Sequence, residues 1–152
     1  SPSRGDLMDV IGLPLHPLVV HATVIFIPLA ALGAVLMVFV GRLRERYAGL
    51  VMLLGAAAVL TAFAAVLTGP LLAEDLGMTG SPSIPPHQTP GAWTPWPTLL
   101  MAVALPLFLR ARRAGEPGVA ARRFGVVTVL SALAALTLVV LTGHAGATAV
   151  WG

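Results

Sequence analysis

Four long apolar runs limit what this chain can fold into. They cover about residues 17–40, 48–72, 96–109 and 124–150. A helix needs ~20 mostly apolar residues to cross the hydrocarbon of a bilayer. Little sequence lies between the runs, so residues 1–152 read as one four-span transmembrane domain. Composition agrees. The chain is 57% hydrophobic and 10% charged, whereas about a quarter of a soluble domain is charged. The connections after the first and third runs are short, which favours antiparallel neighbours. The expected fold is all-α: an integral membrane antiparallel four-helix bundle with up-down topology.

Prolines and polar stretches punctuate the runs. Pro17 suits a first helical turn, where its missing N–H is not needed. Pro28 and Pro106 lie inside spans and predict kinks that a bundle tolerates. "GRLRERY" (Gly41–Tyr47) and "RARRAGEPGVAARR" (Arg110–Arg123) read as polar turns. The stretch from Gly77 to Pro97 is rich in Pro, Gly, Ser and Thr and reads as a loop. The third run is short, and Trp93 and Trp96 are its expected interfacial anchors. The start "SPSRGD" shows no basic region before a cleavable apolar core, so no signal peptide is expected.

The charges give the orientation. All nine basic residues are arginines, and eight of them (42, 44, 46, 110, 112, 113, 122 and 123) lie in the turns after spans one and three. The net charge of +3 therefore reflects membrane topology, and no nucleic-acid partner is expected. The positive-inside rule predicts both turns in the cytoplasm and both termini outside. Asp6, Asp9, Glu74 and Asp75 fall on the outer side. The absence of cysteine excludes disulfides, thiolate metal sites and Cys-ligated clusters. There is no nucleotide loop, paired-carboxylate arrangement or Ser–His–Asp pattern.

With that topology all four histidines share the outer side. His16 and His21 open span one, His87 sits in the loop before span three, and His144 lies near the end of span four. Four residues placed at random would share a side about one time in eight, so depth carries more of the argument. His21 is ~6 Å into its span and His144 ~9 Å from the end of its own, at 1.5 Å per residue. An ionisable residue inside a span marks function by default. His16 precedes Pro17, which biases it towards extended backbone. Gly143, Ala145, Gly146 and Ala147 surround His144 with almost no side-chain volume, so a helix or a flat cofactor could approach closely. Met8 and Met78 are possible thioether ligands, but packing is the better account of both. Thr23, Thr61, Thr68, Thr128, Ser131 and Thr137 are expected to hydrogen-bond helix backbone.

"LHPLVVHATVIFIPLAAL", "PPHQTPGAW" and "GHAGATAVW" resemble a bacterial family of small four-span membrane proteins, the domain of unknown function DUF2231, in its actinobacterial branch. The resemblance covers essentially the whole chain. Its first and last motifs are specific and its middle one is loose. It implies a common role for His16, His21, His87 and the Gly143–His144–Gly146–Ala147 motif. The family often has an acid in a Gly-Glu context after span two. Here Thr68-Gly69-Pro70 stands instead and the acids come later, at Glu74 and Asp75, so no role carries over to them. Some relatives are fused to a Rieske-type iron–sulfur domain, which implies electron transfer nearby.

Three functions follow as expectations. The first is a membrane redox protein binding a b-type haem at the outer end of the bundle. Its axial ligands would be His21 and His144, with His16 and His87 beside it, Gly143 and Gly146 giving it room and Trp93 and Trp96 capping it. The second is a transition-metal site for Zn, Cu, Fe or Ni, with His16, His21, His87 and His144 as ligands. The third is an accessory subunit without cofactor. The expected partners are the lipid bilayer and either a redox protein or a second copy of the chain.

Overall fold

The structure, a computed structural model, describes residues 9–10, 13–75, 91–115 and 118–151. Among these residues are four long helices: α1 (Leu15–Phe39), α2 (Gly41–Asp75), α3 (Pro95–Arg113) and α4 (Val119–Trp151). A helical turn at residues 91–93 leads into α3. Each helix contains a span long and apolar enough to cross a membrane. The third is the least apolar, with mean hydropathy 1.4 against 2.5 to 2.6 for the others.

Each helix packs on its chain neighbour, and α4 closes the ring against α1; α1 and α3 barely meet across the diagonal. Close approaches fix the registers. Gly33 faces Val51, so α1 and α2 are antiparallel. Gly55 faces Ala102 and Phe63 stacks edge-on against Trp96, which orders α2 against α3. Gly125 meets Phe108, and Gly91 meets Thr142, which orders α3 against α4. The result is the expected up-down bundle. One end carries the eight turn arginines and the other carries His21 and His144.

α3 buries large residues, Met101, Leu105, Phe108 and Leu109, while the other three helices turn mostly small residues inward and large ones outward. Ala30, Ala31, Ala34, Ala58, Ala62, Ala132 and Ala135 are buried. Leu29, Leu32, Leu36, Leu60, Leu130 and Leu133 are exposed on the same helices. A soluble protein would bury the leucines. In a bilayer leucine gains nothing by leaving lipid, so helices associate through small residues that let backbones come close. The buried hydroxyls bond their own helices, as expected. Thr23 donates to the Val19 carbonyl at 3.0 Å, Thr128 to Phe124 at 2.7 Å and Ser131 to Val127 at 2.6 Å. Thr61, Thr68 and Thr137 do the same one turn back.

The helices extend further than the apolar runs predict. "GRLRERY" is helical, and only Val40 separates α1 from α2. Arg110, Arg112 and Arg113 likewise belong to the last turn of α3. Arginine is a good helix former, so a helix leaving the membrane has no reason to stop at the first charge. Gly115, with φ of 69°, ends the extension. His16 is also helical, in the first turn of α1, not extended. At a helix start Pro17 lacks only an N–H that has no partner there anyway. A two-residue antiparallel ladder, β1 (Asp9–Val10) with β2 (Leu13–Pro14), precedes α1 and was not expected.

Candidate functional site: the histidine end

The register of α1 against α4 places two of the four histidines. Gly125 lies against Val38. From there His21 is 17 residues along α1 and His144 is 19 residues along α4. At 1.5 Å per residue these are ~26 and ~29 Å, so the two histidines stand within ~3 Å of one level on packed neighbouring helices. His16 is one helical turn and a residue further out on α1. At 100° per residue its Cα direction lies ~140° from that of His21. His87 lies outside the described residues, as do the side chain of His16 and the surroundings of Gly146. Among the described residues no three of His, Asp or Glu come together.

Both placed histidines leave the outer sides of their helices. His21 is nine positions before the buried Ala30, and His144 nine positions after the buried Ala135. Nine positions at 100° is half a turn. Each side chain is exposed accordingly, so the pair does not meet across the bundle interior. Their neighbours on that outer surface are apolar: Leu18, Val24 and Ile25 beside His21, Val140 and Leu141 beside His144.

The His21 ring is oriented by its own helix. Nδ1 lies 2.6 Å from the Pro17 carbonyl oxygen. A carbonyl only accepts, so Nδ1 donates, and Nε2 is the ring nitrogen that this bond does not use. This arrangement orients a histidine to ligate through Nε2, because the backbone bond sets the ring plane. His144 shows a different local pattern: its carbonyl accepts from the Thr148 hydroxyl at 3.0 Å.

Gly143 is the other informative position. It stands 18 residues, or five turns, beyond Gly125, so both point the same way from α4. A methyl group at Gly125 would lie 3.3 Å from the Phe108 ring and 3.4 Å from Val38. A methyl group at Gly143 would meet no described atom within 4 Å. The face that is closed at the arginine end is therefore open among the described residues at the histidine end. Trp93 and Trp96 stand at this end, 63% and 56% exposed, as interfacial anchors do.

One feature of the opposite end was not foreseen. The sequence analysis treats the arginines only as markers of topology, but the structure sets three of them, Arg44, Arg112 and Arg122, around a single groove. The exclusive use of arginine over lysine was the available signal, since the planar guanidinium is the preferred partner of phosphate and carboxylate.

Comparison with known proteins gives a single family. The model of the family described as "Predicted membrane protein (DUF2231)" matches residues 12–152. No curated protein matches the chain, and no solved structure does.

Proposed function

The chain belongs to the DUF2231 family of predicted membrane proteins, and we propose that it is a redox membrane protein that carries a b-type haem at its histidine end. The observation that carries this reading is the His21 ring: its Nδ1 is committed to the Pro17 carbonyl and its Nε2 is left as a ligand atom. His144 stands at the same level on the adjacent helix. Leu18, Ile25, Val140 and Leu141 around the two rings give a setting that suits an apolar macrocycle. His21 and His144 would hold the iron once both rings turn from the outer faces on which they stand in the cofactor-free chain, and the haem would supply one-electron transfer. His87 precedes Gly91 by four residues, a tether of ~14 Å at full extension. Because Gly91 packs on Thr142, this tether permits His87 to reach the same end. His16, one turn out on α1, would then flank the site.

The arginine distribution supports an orientation in which the histidine end faces away from the cytoplasm of a bacterial cell. A reporter that works only outside the cytoplasm should be active when fused after Gly152. A reporter active only in the cytoplasm overturns that orientation.

The test of the main reading is spectroscopic. Protein purified from haem-replete cells should show a Soret band that shifts on reduction, with the signature of a low-spin, six-coordinate, bis-imidazole haem. A colourless protein with stoichiometric Zn, Cu or Fe by elemental analysis would replace haem with a metal-ion site. A protein with neither would be an accessory subunit.

A further inference from the structure

At the opposite end of the bundle, α4 runs beside α1 over a groove of about 560 Å³. We propose that this groove is a binding site for an anionic phospholipid, with the phosphate held by Arg44, Arg112 and Arg122 and the first part of an acyl chain lying along α4. The inference is independent of the haem reading.

The groove has the two chemistries of such a ligand, in the right order along the membrane normal. Away from the arginines its wall is apolar: Val38 and Phe39 from α1, and Val126, Val129 and Leu130 from α4. From Arg122 to Leu130 is eight residues, ~12 Å along the helix, which matches a headgroup followed by several methylenes. Val126 and Leu130 are exposed on the outer surface, where a lipid chain has direct access. The floor is Phe108, and the Arg44 guanidinium sits 5.5 Å from the centre of its ring.

The arginine mouth has an excess of positive charge. By sequence, the two turns at this end hold eight arginines and two acids, Glu45 and Glu116, so positive charge is in excess there. Among the described residues none of the three at the groove is in an ion pair. The Arg44 Nε is buried and has no acceptor among those residues. The first turn of α4 opens at the same place. Gly118 lines the groove and accepts from the Arg122 N–H, so the N–H groups just after it add to the positive field. Arginine forks bind phosphate oxygens in pairs. Basic pockets between helices at an interface are where anionic headgroups bind.

The experiment is a titration of the detergent-purified full chain with phosphatidylglycerol, phosphatidylcholine, glycerol phosphate and inorganic phosphate, read as a rise in melting temperature and as bound lipid by native mass spectrometry. Phosphatidylglycerol should bind at one site and stabilise; the other three should not. Arg122→Gln, at an exposed position that leaves the core untouched, should weaken binding about fivefold. The variant that also carries Arg44→Gln and Arg112→Gln should weaken it about a hundredfold, at roughly one interfacial charge each. Arg42→Gln with Arg46→Gln and Arg123→Gln removes the same charge outside the groove and should leave binding within about twofold. Equal losses in the two triple variants would show diffuse attraction and overturn the site. So would stabilisation by inorganic phosphate alone. If phosphatidylglycerol has no effect and Arg122→Gln turns a dimer into a monomer, the groove is filled by a second copy and the lipid proposal fails.

Discussion

The two ends of this bundle use the same helices differently. At the arginine end α4 is packed to contact, with Gly125 pressed between Phe108 and Val38. The charges there line the mouth of a groove whose walls are already formed. At the histidine end the same face of α4, five turns on, presents Gly143 to no described atom, and the two placed histidines stand on the outer surface. The difference separates two uses of glycine. Gly125 is small because another helix occupies the space, which is a packing role. Gly143 is small where no packing demand is visible, which fits a position reserved for something that binds.

The sharpest way to break this contrast is to remove the histidines. His21→Ala and His144→Ala should each abolish the haem spectrum almost completely, since each removes an iron ligand, while the melting temperature of the cofactor-free protein stays unchanged. Exposed positions of this kind cost within ~0.5 kcal/mol of stability. His16→Ala and His87→Ala should weaken or retune the haem by ~10–100-fold, the usual cost of a supporting residue. If one of these is as severe as His21→Ala, the centre is a multi-histidine metal site. If all four variants keep the parent's cofactor stoichiometry, the histidine end has no cofactor site.

The next largest effect tests the two glycines against each other. Gly125→Leu should push α4 from Phe108 and Val38 and destabilise the bundle by ~1–3 kcal/mol or more, as overpacking does. It should be visible as a lower melting temperature or loss of folded protein. Gly143→Leu should leave melting within ~0.5 kcal/mol but reduce haem occupancy. If Gly143→Leu destabilises as much as Gly125→Leu, then Gly143 is a packing residue too and its distinction disappears.

Much of this architecture is readable before folding, for a definable reason. Runs of ~20 apolar residues admit few other outcomes, and arginine clustering groups the helix ends. The facing of each helix is harder to read, because a span that is apolar on both its lipid and core sides has little amphipathic contrast. The sequence therefore leads to His21 and His144 facing each other, whereas both stand on the outer sides of their helices. The residual signal is size: Ala30, Ala31 and Ala34 turn inward while Leu29, Leu32 and Leu36 turn outward. That pattern alone would have put His21, nine positions from Ala30, on the outer face. The extra helical turns at Arg42–Arg46 and Arg110–Arg113 escaped for another reason. Hydropathy marks where lipid ends, and helix propensity continues past that point.

Between the two ends the described hydroxyls bond their own helix backbone, and this gives the smallest prediction. Thr98 is fully buried in α3 and donates to the Thr94 carbonyl one turn back, at 2.8 Å. Thr128 and Ser131 repeat the arrangement in α4. Such a hydroxyl adds a second donor to a carbonyl that helical backbone already engages; the Thr98 N–H approaches the same Thr94 oxygen at 3.4 Å. Valine has nearly the shape of threonine and leaves no donor behind, so Thr98→Val removes both the bond and the need for it. The asymmetry of hydrogen-bond energetics makes this kind of change almost neutral, and side-chain hydrogen bonds within membranes average only ~0.6 kcal/mol. Thr98→Val should therefore shift unfolding by less than ~1 kcal/mol and leave both the haem spectrum and phosphatidylglycerol binding untouched. If it changed either, the middle of the bundle would be coupling the two ends, and they could no longer be treated as independent sites.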